Sequence, residues 1–169
     1  MSGQRLIRMD VLKEIYEGLH LMNVRTYIQS GNVIFKAKKT VCKDLESIIS
    51  RQIQKILGFE VPVLVLEMGD LKNIIGRNPY KDDKTKDITF LHVTFLRATP
   101  EQIDFKTIYQ KKSPGEEVAI IERAVYLYCP NGYGKTKLTN TFFENRLKVG
   151  ATTRNWGTTL ELLNLAENN

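Results

Sequence analysis

The chain has 169 residues, 42% hydrophobic and 26% charged, with 25 Lys and Arg against 19 Asp and Glu. That length suits one ordinary domain or two small ones, and the apolar share is enough for a core, which excludes a disordered chain. A net charge of +6 makes the surface basic and suited to polyanions, though a charge total specifies neither fold nor site.

Leu12, Ile15, Tyr16 and Leu19 recur at helical spacing between Met9 and Met22, with Asp10 near the start, where a negative charge suits the helix dipole. Val24, Thr26 and Ile28 then alternate with Arg25, Tyr27 and Gln29, as in a strand. Gly31-Asn32 signals a two-residue turn, and Val33 to Phe35 continue as a second strand. Leu45, Ile48, Ile49, Ile53, Ile56 and Leu57 form one stripe of a helix from Val41 to Leu57, which Gly58 ends. Val61 to Leu66 reads as a short apolar strand.

A short helix from Asp70 to Gly76 and a polar connection containing Pro79 follow. Ile88 to Leu96 is the longest strand expected, and Pro100-Glu101 opens a helix reaching Ile108. Glu116–Ile121 and Ala124–Cys129 are two strands joined by a tight turn at Glu122-Arg123. Lys137 to Leu147 reads as a helix, Val149 to Thr153 as a short extended piece, and Arg154 to Glu167 as a final helix.

The second half therefore contains strand, helix, strand, strand, helix, strand, the split βαβ order of a ferredoxin-like plait. The first half repeats that order with its first strand absent. The expected fold is α+β, two ferredoxin-like halves spanning 1–75 and 76–169. In such a plait the first strand is central, so its loss predicts either further residues upstream of Met1 or another segment in the gap. It also predicts unpaired strand edges through which the chain could dimerise.

The segments "VRTYIQSGNVIF", "VYLYCPNGYGKTKLTNTFFE" and "ATTRNW" together resemble a bacterial family of uncharacterised proteins catalogued as a domain of unknown function, the DUF1697 family. The resemblance runs from about Leu6 to Leu163. It implies a pair of ferredoxin-like domains entered by one more strand and a glycine-rich loop, of which only "SGQRLIRM" stands here. It implies no reaction, cofactor or catalytic residue.

Cys42 and Cys129 are too few for a disulfide framework, and neither has Cys or His neighbours at metal-ligand spacing. Both are read as reduced thiols of a cytoplasmic protein, with no metal or cofactor expected. No apolar run approaches membrane-spanning length.

The nearest approach to a chemical motif is "CPNGYGKT", Cys129 to Thr136. A phosphate-binding loop needs glycine, four residues, then Gly-Lys-Ser/Thr; the last three are present, but Cys129 stands where the first glycine belongs and Pro130 removes an N–H donor. Nucleotide hydrolysis is therefore not expected. Anion binding at a helix N-terminus is, through Asn131, Gly132, Gly134, Lys135, Thr136 and Lys137, with Arg154 as a further contact. A second candidate is the hairpin tip, Tyr27, Ser30 and Asn32; no acid or histidine lies within it to activate Ser30. A third is the strand face bearing Tyr126 and Tyr128, because RNA-recognition domains of this shape stack bases on an open sheet face. Asp82-Asp83 and Glu116-Glu117 read as solvated surface. Catalytic residues are not assigned. The function expected first is a non-catalytic binding module with a basic surface. The alternatives are an enzyme acting on a phosphorylated small molecule through Gly134-Lys135-Thr136, and RNA binding on the sheet faces. The implied partners are a phosphate-bearing ligand or nucleic acid, and no membrane.

Overall fold

The computed structural model describes residues 7–38 and 41–169. The expectation that an entry strand is absent concerns residues ahead of Ile7 and lies outside them. The chain divides into two units: the described residues up to Met68 with Leu162–Asn169, and Gly69–Glu161. The architecture is mixed, with six α-helices and two antiparallel sheets among the described residues.

In the first unit, helix α1 (Met9–Gly18) leads into the antiparallel pair β1 (Met22–Tyr27) and β2 (Asn32–Lys36), followed by helix α2 (Cys42–Leu57). Leu12, Ile15 and Tyr16 of α1 and Leu45, Ile49 and Ile53 of α2 bury their stripes around Val24 and Val63. Burying side chains of this size is worth about 1.5–3 kcal/mol each, which is what holds so small a sheet. Tyr16 and Phe35 meet edge to face at 5.4 Å. Gly58 stops α2 in the left-handed conformation at φ 77°, and its N–H donates to the Gln54 carbonyl.

Two expectations change here. The hairpin turn is not Gly31-Asn32: Asn32 already pairs with Tyr27, so the turn is residues 28–31, with left-handed φ at Ile28 (49°) and Gly31 (75°). Residues 61–66 form no strand and join no ladder among the described residues. Instead, side chains of α2 meet their backbone: Ser50 Oγ donates to the Val61 carbonyl at 2.9 Å and the Val65 N–H donates to Glu46 Oε1 at 2.9 Å. Val61, Val63 and Val65 still pack on the core, so the alternation that predicts a strand reports burial rather than pairing.

In the second unit, helix α3 (Met68–Gly76, from its second residue) precedes β3 (Leu91–Leu96), helix α4 (Phe105–Lys111), β4 (Glu117–Ile121), β5 (Ala124–Tyr128), helix α5 (Asn140–Leu147), β6 (Ala151–Asn155) and the start of helix α6 (Trp156–Glu167). The sheet order is β4-β5-β3-β6, every neighbour antiparallel. One face, carrying Leu96, Val118, Val125 and Leu127, builds the core with Ile108 of α4 and Phe143 and Leu147 of α5. The opposite face carries Leu91, Val93, Phe95, Ala124 and Tyr126, also buried. Tyr126 is 1% exposed, and its hydroxyl donates to the Ile74 carbonyl of α3 at 2.8 Å. The alternation of tyrosines against Val125 and Leu127 holds, but the Tyr126 ring is under α3 and is no open platform for bases.

Three boundaries move for local reasons. Asp104, not Pro100, caps α4, accepting from the Thr107 N–H at 3.1 Å. Ile88–Phe90 is a 3-10 turn ahead of β3, with Asp87 accepting from the Thr89 N–H. Thr139 caps α5 by accepting from the Phe142 N–H, so the helix starts three residues later than expected from Lys137. Of the adjacent carboxylates, Glu116 is not solvated surface. Glu116 is 1% exposed and accepts from the Ser113 N–H at 2.8 Å. Glu117 and Asp83 keep partly exposed side chains but share Lys86 Nζ, at 2.8 and 2.9 Å, and Asp82, bonded to Lys81, is exposed as expected.

Candidate functional site

The 129–136 segment leaves the end of β5 and crosses to α5. Gly132 sits at φ 90°, a conformation that penalises any side chain, and a single 3-10 turn, Tyr133–Lys135, follows. The Lys135 N–H donates to the Gly132 carbonyl at 3.1 Å, the Thr136 N–H to the Tyr133 carbonyl at 3.2 Å, and the Leu138 N–H to Thr136 Oγ1 at 3.1 Å. These backbone donors are engaged inside the turn. The helix N-terminus expected beside Lys135 and Lys137 is not there, because Thr136 is extended and α5 opens only at Asn140. Thr136 is buried, and its hydroxyl is taken up by the Leu138 N–H inside the loop. What the loop presents to solvent is Asn131, Gly134, Lys135 and Lys137. Neither lysine has a carboxylate partner among the described residues.

Beneath the loop lies a polar knot that no sequence motif announces. His92, Thr94, Thr153 and Asn155 share the helix side of the sheet, as the pairings His92–Leu127, His92–Asn155 and Thr94–Thr153 require. Thr153 Oγ1 donates to Asn140 Oδ1 at 2.5 Å, so the Thr94 hydroxyl donates to Thr153 across 2.6 Å. Strands β3 and β6 and helix α5 are thus tied at one hydroxyl. The Tyr133 ring stacks on His92, centroids 4.8 Å apart. His92 Nδ1 faces the Phe90 carbonyl at 3.2 Å, which makes Nδ1 the protonated nitrogen and leaves Nε2 as an acceptor. Burial lowers the His92 pKa from its ordinary 6.5, outweighing the Phe90 contact, so the ring is neutral at pH 7. Burial raises the Tyr133 phenol, and pushes the Cys129 thiol up to about 11 with help from Glu116. That thiol is no nucleophile.

The remaining candidates separate from this loop. Arg154 alternates with Thr153 and Asn155, so it projects from the other face of the sheet, opposite Val93; it donates to Thr152 Oγ1 and the Thr153 carbonyl, each at 2.9 Å. It is not a third contact for the Lys135 loop. Burial lowers its pKa from the ordinary value. Asn155 Oδ1 caps α6 by accepting from the Thr158 N–H at 2.7 Å, and Trp156 is buried behind it. Tyr27, Ser30 and Asn32 sit together in the first unit, where Asn32 Nδ2 bonds the Tyr27 carbonyl at 3.3 Å and Ser30 Oγ at 2.7 Å, the hydrogen bonds of a turn. Among the described residues no three His, Cys, Asp or Glu side chains gather as a metal site, and no helix is long and apolar enough to cross a membrane.

Among solved structures, the chain is similar to the conserved bacterial protein SP0830 from Streptococcus pneumoniae, with a TM-score of 0.67 and 18% identity over 98% of this chain and 92% of that one. Likeness at that identity speaks for the fold alone. No curated protein matches. The sequence model of a family described as protein of unknown function, DUF1697, matches residues 1–126, a span that includes His92 and stops short of the 131–137 loop. The chain belongs to that family, DUF1697.

Proposed function

We propose that the protein is a non-catalytic binding module whose basic surface takes an anionic ligand on the 131–137 loop. The observation that carries this reading is the contrast within the loop. The hydroxyls of Thr94, Thr136 and Thr153 are all drawn into structural hydrogen bonds, while Lys135 and Lys137 stand exposed without a carboxylate among the described residues. A nucleophile and its base have no home there, whereas two cations on a rigid loop do suit an anion. The N–H groups of Gly132, Lys135, Thr136 and Leu138 are engaged within the turn, which leaves most of the attraction to the lysine side chains, so binding is weak. The test is a thermal-shift titration with sodium phosphate against sodium chloride at matched ionic strength. Phosphate stabilises the wild type by mass action and fails to do so for Lys135→Ala/Lys137→Ala. Equal stabilisation of both proteins overturns the reading, as does Mg²⁺-dependent turnover of ATP.

The fold inference that accompanies it is a ferredoxin-like plait in each unit. The order β4-β5-β3-β6 supports it in the second unit, since the first strand of that unit, β3, lies between its third and its last. In the first unit, α1, β1, β2, α2 and the 61–66 segment follow the same succession from its second element onward.

A further inference from the structure

Strands β4 and β6 are the two edges of the sheet in the second unit, and they differ in how they are finished. β6 carries the hydroxyls of Thr152 and Thr153, and Arg154 folds back along it to donate to the Thr153 carbonyl at 2.9 Å. Charged side chains of this kind are the usual protection of a sheet edge against further strands. β4 has none of it. From Val118 to Ile121 it reads Val-Ala-Ile-Ile, without a charge, a proline or a bulge in its register against β5.

The tight turn at Glu122-Arg123 decides which backbone groups this edge shows. It has two residues, so its closing pair, Ile121 and Ala124, exchanges hydrogen bonds, and at every second position Ala119–Tyr126 and Glu117–Tyr128 do the same. The N–H and C=O groups of Val118 and Ile120 therefore point away from β5, and none of them has a hydrogen bond among the described residues. Glu116, next in that alternation, is already satisfied: its N–H donates to the Ser113 carbonyl at 3.1 Å, and its carbonyl accepts from Lys112 Nζ at 2.7 Å. The open edge is thus two donors and two acceptors, placed evenly about Ala119.

That arrangement is its own complement. We propose that β4 pairs antiparallel with β4 of a second copy of this chain, with Ala119 on the twofold axis. In that register Val118 lies opposite the partner's Ile120 and Ile120 opposite the partner's Val118, and four hydrogen bonds satisfy every open group of both edges. With Val118 on the axis, Ile120 would face Glu116, whose groups are used; with Ile120 on the axis, Val118 would face Glu122 in the turn. The side chains agree with the register. Val118 and Ile120 meet as an apolar pair, Ala119 meets itself, and Glu117 meets Ile121, so no like charges are opposed. The contact closes after two copies, as an isologous interface does. It uses no residue of the 131–137 loop and does not depend on that site.

The test is sedimentation velocity on the full chain from about 5 to about 500 μM, with amide exchange followed over the same range. The wild type passes from monomer to dimer as concentration rises. The Val118 and Ile120 amides gain protection in step with the dimer, while the Ala119 amide, bonded to Tyr126 in either state, does not change. Ile120→Pro removes the donor of two of the four hydrogen bonds and weakens the dimer by at least about fivefold. The monomer tolerates proline there, because that N–H faces solvent on an edge strand. Fluorescence of the buried Trp156 checks the fold of the variant. If it fails to fold, the exchange pattern of the wild type decides alone. A wild type that stays monomeric at the highest concentration overturns the proposal. So does a dimer that leaves Val118 and Ile120 unprotected, one as strong in folded Ile120→Pro as in the wild type, or a growing series of larger oligomers in place of a dimer.

Discussion

Tyr126→Phe removes one oxygen and keeps the ring. That oxygen is the donor to the Ile74 carbonyl, which lies in the last turn of α3. Carbonyls there have no partner within their own helix, so the phenol completes the helix end. Ile74 is buried and Tyr126 is almost wholly so, which keeps water from substituting for the lost hydroxyl. Removing one partner of a buried hydrogen bond and leaving the other unsatisfied costs about 1–3 kcal/mol. In a unit the size of residues 69–161, each kcal/mol lowers Tm by about 4–8 °C. A fall of at least about 4 °C is therefore expected. The single tryptophan, Trp156, is buried in the same unit and gives a fluorescence signal that reports on it. An unchanged midpoint by that signal, with a urea slope equal to wild type, would refute the placement of α3 over the tyrosine face.

Thr153→Val cuts the knot at its centre and leaves Asn140 and Thr94 short of a partner; a loss of about 1–3 kcal/mol is expected, with faster amide exchange in the 130–140 segment than in β3. Unaltered exchange there would show that the loop is held by something else. The lowered His92 pKa sets a pH window: the folded ring resists protonation, so the unfolded state binds more protons once pH falls below its ordinary value of about 6.5, and stability drops until the folded pKa is passed. His92→Gln should flatten the urea midpoint between pH 7 and that lower limit, and a wild-type slope in the variant would assign the effect elsewhere. Asp83, Asp87 and Asp104 are all lowered, chiefly by hydrogen bonds from Thr85, Thr89 and Thr107 respectively, so their contribution is present above about pH 4 and is lost only as pH falls below it. Cys129, buried and pushed up to about 11, should resist a thiol reagent at pH 8 until the protein unfolds, whereas Cys42 is half-buried; rapid reaction of both in the native state would contradict the core assignment.

The elements legible in the sequence are those whose pattern is local. The α2 stripe and its Gly58 stop, the β4–β5 hairpin and the alternation around Tyr126 need only neighbours along the chain. What escapes depends on distant partners. Residues 61–66 have the alternation of a strand, but pairing is decided by what lies beside them. Glu116 looks like surface until the Ser113 N–H is folded back onto it. The start of α5 is displaced from Lys137 because Lys137 and Leu138 are good helix residues, while Thr139, two positions on, holds the stronger capping position. The knot joins residues 92, 94, 133, 140 and 153, and no short motif contains them. Its one trace is the polar pair His92 and Thr94, alternating on the inward side of an otherwise apolar strand. Lys86 is hidden in a run of mixed charges that gives no sign of which lysine turns inward between two carboxylates and two rings.

The measurement closest to the central claim is a ¹⁵N-¹H correlation spectrum of the full chain titrated with inorganic phosphate. Saturable shifts should be confined to residues 131–137 and the ring of His92, with the Lys135→Ala/Lys137→Ala variant silent. Shifts centred on the 27–32 turn or around Arg154, with residues 131–137 unmoved, would contradict the account.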